Sequence, residues 1–441
     1  MRFESALRVP APQEQKKPQK IVELADEDVK EDVEDAVELD EGDYELEDGV
    51  ESGVQPRKDL PANDNGDKIE ELTEADFIEV LEPGELQEKD VVEAFEMQGF
   101  EGLKISATLE KKDARKEAAG ERNEDNIIAN AETGLIGVLD GLGGEGEKGA
   151  GAKASVGAEV EIPNAYKKAL SRIKTLDGAD IQKELVENQL AGLGATDAAI
   201  VMNARKGLTD MMEGAMLKSP EMCKKALALL EAISQANGKV AETGGKTTAC
   251  VGFVHKAPDG THWAVVANIG DSAAYKRRAN GELVPLTDED SFFNLLRDAG
   301  TLPPETMAAM KAKPDEKFPI PFTESVIKAL GKEYAPFLGK RMPFSYKTLK
   351  LMMVKSMGAE TSQAKLAIRR LEPGDSLIMA TDGVVDKFED PNTDETNLAE
   401  LAKAFSGSTQ TERLNHLRKA SKGRTTYKKD DDIAIVSAMA A

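Results

Sequence analysis

The chain has little of what would assign it to a secreted or membrane class. Its two cysteines, Cys223 and Cys250, cannot build a disulfide framework in 441 residues, which suggests a reducing compartment. No apolar run approaches the roughly 18 residues of a membrane span. The first residues lack the apolar core of a secretory signal. These features predict a cytoplasmic protein without a membrane partner.

Basic residues are also in the minority, since 57 lysines and arginines stand against 81 acids, for a net charge of −24. Nucleic-acid binding needs a basic surface, so no nucleic-acid partner is expected. The acidic excess is local, because residues 21–51 hold 16 acids and one lysine and the rest of the chain carries only −9. The remainder therefore has the balance of an ordinary, mildly acidic protein.

The composition divides the chain into three regions. Residues 1–68 are rich in Pro, Glu, Asp and Lys and cannot bury enough apolar surface to fold, so they are predicted to be a disordered acidic tail. A partner-binding segment within this tail is the alternative interpretation. Residues 69–98 show sparse helical periodicity and are interpreted as a linker or short helices. Residues 99–441 are predicted to form the folded domain, and a monomer is expected.

Within the folded region, short apolar runs bounded by turn residues predict buried strands. An alanine- and methionine-rich tract over 164–237 has apolar positions three and four residues apart and predicts several helices. A polar stretch near 397–420 predicts further helix. Strands are predicted at 103–109, 126–129, 136–139, 247–254, 263–267, 273–276, 376–380 and 433–436.

Acidic residues recur at the ends of these predicted strands. Carboxylates from separate strand ends can converge at one edge of a sheet, where their repulsion raises their pKa values unless a cation neutralises them. An all-oxygen cluster suits Mg²⁺ or Mn²⁺, and two such ions about 3.5–4 Å apart support displacement at phosphorus. Taken singly, each of these acids can also be explained as an ordinary residue of an Asp-Gly or Asp-Ser turn. The set comprises Glu124, Asp125, Asp140, Asp271, Asp382, Asp386, Asp431 and Asp432.

The order of the motifs around these acids resembles the PPM family, the metal-dependent protein phosphatases of PP2C type. The resemblance implies an α+β fold, an α-β-β-α sandwich of two antiparallel sheets flanked by helices. It also implies hydrolysis of phosphoserine and phosphothreonine in protein substrates by a metal-activated water at a binuclear Mg/Mn centre. The motifs are Arg122-Asn-Glu-Asp125, Val138-Leu-Asp-Gly-Leu-Gly-Gly144, Gly244-Gly-Lys-Thr-Thr248, Ala267-Asn-Ile-Gly-Asp-Ser272, Leu286-Thr-Asp-Glu-Asp-Ser291, Gly374–Gly383 and Asp431–Val436.

The resemblance also implies a role for each matching residue. Asp140 would bridge the two metal ions, and the backbone carbonyl of Gly141 would bind one of them. Asp140 and Asp382 would act in catalysis through the metal-activated water. The other implied ligands are Glu124 for the second ion, directly or through water, and Asp382 and Asp431 for the first. Asp271 and Asp386 match the acids that, with Asp382, bind a third ion in many members.

The sequence departs from the family pattern in three places. Leu142 stands where many members have a histidine that is thought to protonate the leaving oxygen, although some bacterial relatives also lack it. The phosphate-binding arginine usually lies four residues before the glutamate, where this chain has Gly120. Arg122 is therefore a candidate phosphate ligand in a shifted register. The sequence Asp431-Asp432-Ile433-Ala434 keeps the metal-binding acid and lacks the family's threonine.

Two other functions compete with this interpretation. The run Gly244–Thr248 is similar to a P-loop, but position 240 is Val240 instead of glycine and a strand is predicted after the run. The stronger alternative is a catalytically silent PPM fold that serves as a binding or regulatory module. Because the chain retains every metal-binding acid, an active enzyme is the favoured prediction.

Overall fold

A computed structural model describes eleven segments of the chain. They are residues 91–98, 103–110, 123–142, 149–192, 198–298, 300–323, 336–353, 355–359, 363–390, 396–423 and 431–439. All of them belong to the unit Glu74–Ala441. The predicted tail, residues 1–68, lies outside the described residues, as does Arg122.

Fourteen strands and ten α-helices are found in these segments. The strands are β1 Val91–Gln98, β2 Lys104–Glu110, β3 Asp125–Ala129, β4 Ile136–Leu142, β5 Lys246–Thr247, β6 Ala249–Lys256, β7 His262–Ile269, β8 Ala273–Arg277, β9 Leu283–Pro285, β10 Lys317–Pro321, β11 Arg341–Ser345, β12 Lys365–Leu371, β13 Ser376–Ala380 and β14 Ile433–Met439. The helices are α1 Ala150–Ile173, α2 Gly178–Gly192, α3 Ala198–Lys218, α4 Pro220–Ala241, α5 Phe292–Asp298, α6 Pro304–Ala312, α7 Tyr346–Leu351, α8 Asp382–Val385, α9 Leu398–Ala404 and α10 Gln410–Gly423.

Most strands belong to two six-stranded antiparallel sheets. The first sheet has the order β1-β2-β14-β13-β8-β9, and the second has the order β12-β7-β6-β4-β3 with β5 beside β4. The inner faces pack together, since Ile105 and Val436 of the first sheet share one apolar cluster with Val138 and Val266 of the second. The central strands β4, β6, β13 and β14 are almost wholly buried because both of their faces are covered, and their sequences are accordingly mostly apolar.

Helices cover the outer face of each sheet. Helices α1 to α4 supply most of a large cluster with the outer residues of the second sheet, such as Leu139 and Val251. Helices α8 to α10 cover Ile378 and Ile435 of the first sheet. The predicted α+β class, with two antiparallel sheets flanked by helices, is confirmed. Among the described helices, none is both long and apolar enough to cross a membrane.

The start of the folded region differs from the sequence interpretation. Residues 69–98 were interpreted as a linker or short helices, but 91–98 form β1, which pairs with β2 from Val91↔Glu110 to Gln98↔Lys104. A register shift between Val92 and Phe95 interrupts the alternation of apolar and polar residues, so the strand period is hidden in the sequence. The described fold therefore begins before residue 99.

We expect β1 to contribute to stability by covering the edge of β2. A protein lacking residues 1–98 should lose about 3 kcal/mol of unfolding free energy relative to one lacking residues 1–90, because six paired positions disappear and each net hydrogen bond contributes about 0.5–1.5 kcal/mol. Urea unfolding of the two truncated proteins measures the difference. Equal stability would show that β1 is a dispensable edge.

Candidate functional site

The fold brings the predicted acids together at strand ends. Asp140 lies near the end of β4, directly opposite Asp125 of β3 in the antiparallel register. Asp382 begins α8 immediately after β13, and Asp431 precedes β14, the neighbour of β13 in the first sheet. Asp271 follows β7 in the second sheet. The site therefore draws on both layers of the sandwich.

The neighbouring acids affect the ionisation of Asp140. Burial raises the pKa of Asp140 well above its usual value, and the charge of Asp382 raises it further. Asp125, Asp271 and Asp431 add to the same pKa shift. Such mutual destabilisation of the ionised forms is what a nearby cation relieves.

Asp382 has the same kind of environment. Burial is the largest cause of its raised pKa, followed by the charges of Asp271, Asp386 and Asp431, while a hydrogen bond with Asp140 acts in the opposite direction. We call Asp140, Asp271, Asp382, Asp386 and Asp431 the aspartate cluster. All five were predicted from the sequence as site residues, and the fold gathers them.

Glu124 and Gly141 meet at a second point of the site. The amide of Gly141 donates to the carbonyl of Glu124 at 3.0 Å. A Cβ on Gly151, in the first turn of α1, would stand 2.8 Å from Glu124 Oε1 and 2.9 Å from the Gly141 carbonyl oxygen. The two predicted oxygen donors therefore flank a space that a side chain at Gly151 would fill.

These donors fit a hard divalent cation in their chemistry, because all of them are carboxylate or carbonyl oxygens. Their positions do not form a closed coordination group. Among the described residues, no three or more His, Cys, Asp or Glu side chains are arranged so that they could hold a metal ion. The assignment of individual metal ligands stays a prediction.

Two threonines hold the backbone of Asp140. Thr247 Oγ1 donates to the Asp140 carbonyl at 2.9 Å, and the Thr248 amide donates to the same oxygen at 2.8 Å. The Asp140 amide in turn donates to Thr248 Oγ1 at 3.1 Å. The run Gly244–Thr248 thus supports a site aspartate through its threonines.

A buried hydroxyl joins the two sheets beside the cluster. Thr381 Oγ1 donates to Asp125 Oδ2 at 2.7 Å and accepts from the Ala434 amide at 3.0 Å. The Thr381 amide donates to the Ala434 carbonyl at 3.1 Å. The turn that carries Asp382 is therefore tied to β14 in its own sheet and to β3 in the other.

Asp432 has a structural role that the sequence did not distinguish from that of Asp431. It is buried, and its Oδ2 accepts from the Glu124 amide at 3.0 Å, which fixes the backbone of a predicted ligand. A Cβ on Gly383 would stand 1.8 Å from the Asp432 carbonyl oxygen. Only glycine fits there, which explains the glycine in the Thr-Asp-Gly turn.

Leu142 is the last residue of β4, is partly exposed, and pairs with Lys246 of β5. It therefore lies two residues beyond Asp140, at the edge of the site. The predicted phosphate ligand Arg122 lies outside the described residues.

Comparison with known proteins gives one family match and several distant structures. Residues 349–440 match the family Stage II sporulation protein E (SpoIIE). A comparison with curated proteins finds no match. Similar solved structures include the PPM Ser-Thr phosphatase MsPP from Mycobacterium smegmatis, the Mycobacterium tuberculosis serine/threonine phosphatase PstP/Ppp, and the S. agalactiae serine/threonine phosphatase.

The likeness to the solved structures is weak. Their identities to this chain are 16%, 19% and 18%, with TM-scores of 0.42, 0.39 and 0.40. The alignments cover 76%, 76% and 77% of this chain and 98%, 98% and 100% of theirs. At this level they do not assign an activity.

The fold and site define a two-sheet α+β sandwich with a carboxylate cluster at its strand ends. The predicted PPM-type (PP2C-like) relationship is confirmed over residues 349–440, because SpoIIE is a PP2C-like family. That range includes Asp382, Asp386 and Asp431. For Asp140 and Asp271, which lie outside it, the resemblance rests on the motifs.

The Thr381 hydroxyl should contribute measurably to stability. Replacing Thr381 with Val keeps the shape but removes a donor to a buried carboxylate and an acceptor for a buried amide, which should cost about 2–4 kcal/mol. Thr381→Ser retains the hydroxyl and is the matched control. The free energy of unfolding of both variants, measured by chemical denaturation, is the test. Equal losses of stability in Thr381→Val and Thr381→Ser would show that packing, and not the hydroxyl, is responsible.

Proposed function

We propose that the protein hydrolyses phosphoserine and phosphothreonine in protein substrates, with two Mg²⁺ or Mn²⁺ ions at the aspartate cluster. The observation that supports this most is that Asp140, buried at the end of β4 in one sheet, is hydrogen-bonded to Asp382, which begins α8 after β13 of the other sheet. Such a cluster by itself repels a phosphate dianion. Divalent cations reverse that charge and make the site attractive to phosphate.

Each residue of the site would have its own role in holding the ions. The ions, when bound, supply Lewis acidity and charge neutralisation at the phosphoryl group. Asp140 and Asp382, held by the threonine contacts described above, would fix the ions in place. Glu124 and the Gly141 carbonyl would complete the second ion's donors. Asp431 would complete the first, and Asp271 and Asp386 would hold a third.

A cysteine nucleophile does not fit this chain. Cys223 and Cys250 are both buried in apolar clusters and form no disulfide. Burial raises the pKa of Cys223 to about 12 and raises that of Cys250 as well, so neither is a thiolate near neutral pH. Attack by water is the route consistent with these two buried thiols.

The cytoplasmic location and the monomeric state stay predictions.

The metal requirement provides the first test of this function. Hydrolysis of a phosphothreonine peptide should require Mn²⁺ or Mg²⁺ and stop in EDTA. Asp140→Asn should reduce the rate on the order of 10²–10³-fold, because it removes charge from a buried, predicted bridging ligand. The rate of peptide hydrolysis against metal concentration is the measurement.

Asp180→Asn, an exposed aspartate in the first turn of α2, is the matched control and should behave as wild type. Full activity in EDTA would contradict the metal mechanism. A folded protein that binds Mn²⁺ but hydrolyses no phosphopeptide would instead support a catalytically silent regulatory module.

The leucine at 142 gives a second test. Without a dedicated proton donor, the protein should hydrolyse an aryl phosphate much faster than a phosphoserine peptide, because only the serine alkoxide needs protonation. General acid catalysis typically contributes about 10²–10⁴-fold. Leu142→His should therefore accelerate the peptide reaction by about 10-fold or more and leave the aryl phosphate rate unchanged.

Leu142→Gln controls for polarity without a titrating group, and it should leave both rates unchanged. If Leu142→His preserves the aryl phosphate rate and the peptide rate does not rise, the proposal that a proton donor is missing is wrong.

A further inference from the structure

A small helical and hairpin segment is inserted between β9 and β12, and we call residues 291–353 the inserted subdomain. It contains α5, α6, the β10–β11 hairpin and α7, and it has its own apolar cluster. Phe292 packs edge-on against Phe322 and Phe344, each with its ring centroid 5.9 Å away. The described ends of the subdomain meet, because Ser291 pairs with Met353.

The residue just before this subdomain is bound to the loop that carries Asp271. The Asp290 amide donates to the Gly270 carbonyl at 2.8 Å, and the Gly270 amide donates to Asp290 Oδ2 at 3.1 Å. Two reciprocal hydrogen bonds fix both the distance and the orientation of the two backbones. Asp290 thus holds the residue that immediately precedes a member of the aspartate cluster.

The Asp290 carboxylate is itself held in place. It is 2% exposed, and its Oδ1 lies 3.1 Å from Lys365 Nζ, which also lies 3.2 Å from Asp298 Oδ2. Burial lowers the pKa of Lys365, but Asp290 and Asp298 outweigh burial and raise the pKa overall, so the ammonium stays charged. Lys365 comes from β12, opposite Asn268 of β7.

Gly270 has no freedom to move toward the core. Its φ is +102°, and a Cβ at this position would stand 2.6 Å from the Thr248 side chain, so only glycine fits. The same Thr248 binds the Asp140 amide. The Gly270 loop thus lies between Thr248, which binds Asp140, and Asp290.

We propose that Asp290, the residue that leads into the inserted subdomain, is a positioning residue for Asp271. The inference rests on the proposed metal-dependent function. Asp271 directly follows Gly270, so the hydrogen bonds to Asp290 and the packing against Thr248 determine where the backbone of Asp271 lies. Removing the carboxylate that accepts from the Gly270 amide should loosen one of the two bonds that hold this loop, let Asp271 shift, and weaken the binding of cations.

Calorimetric titration with Mn²⁺ tests this directly, without an activity measurement. Asp290→Ala should weaken Mn²⁺ affinity by about 10–100-fold, the usual range for a residue that orients a ligand. Asp298→Ala removes the other carboxylate partner of Lys365 but no contact with Gly270, so it should bind Mn²⁺ as wild type does. Melting temperatures in EDTA establish that both variants are folded.

A double substitution separates positioning from general destabilisation. If Asp290 acts through Asp271, adding Asp290→Ala to Asp271→Ala should weaken Mn²⁺ binding no further than Asp271→Ala alone. If the losses of Mn²⁺ affinity caused by the two substitutions multiply in the double variant, the proposal is wrong. It is also wrong if folded Asp290→Ala binds Mn²⁺ as tightly as wild type. Should Asp290→Ala fail to fold, it is combined with Lys365→Met, which removes the ammonium that would be left without Asp290. Wild-type affinity in that folded double variant overturns the proposal.

Mn²⁺ binding by the wild-type protein distinguishes a failure of the proposed metal centre from a failure of the positioning role of Asp290. Wild-type protein that binds no Mn²⁺ would contradict the proposed metal centre itself. Wild-type binding that Asp290→Ala leaves intact would contradict only the positioning role.

Discussion

The repulsion among carboxylates gathered at the strand ends is the constraint on which the rest of this site depends. Asp140 and Asp382 come from different sheets. The charge of Asp382 raises the pKa of Asp140, and the charges of Asp271 and Asp431 raise the pKa of both. A fold tolerates such an arrangement only where surrounding contacts over-determine the backbone. Here the backbone around the cluster is held by hydrogen bonds that involve Thr247, Thr248 and Thr381.

The contacts around the cluster form a continuous chain across the sandwich. Thr381 joins β13 and β14 to β3, and Asp432 joins the start of β14 to the Glu124 backbone. Thr247 then links Asp140 to Met357, because its amide and carbonyl pair with that residue's backbone. The chain on both sides of the inserted subdomain is therefore bonded to residues that support the cluster.

Much of this could be predicted from the sequence, because buried strands leave apolar runs and their ends leave Asp-Gly and Asp-Ser turns. Asp140, Asp271 and Asp382 were found in that way. The supporting residues could not be found, since Thr381 and Asp290 act through partners that are distant in sequence. The strand β1 was missed because its register shift hides the period of two that identifies a strand.

The most direct test of the central claim is the position of the metal itself. A crystal of the protein soaked in Mn²⁺, measured at the manganese absorption edge, should show anomalous peaks between Asp140 and the neighbouring Asp382 and Asp431. Each peak should have oxygen ligands alone. Manganese bound elsewhere, with the carboxyl groups of Asp140 and Asp382 still hydrogen-bonded to each other, would contradict the account of these aspartates as a metal centre.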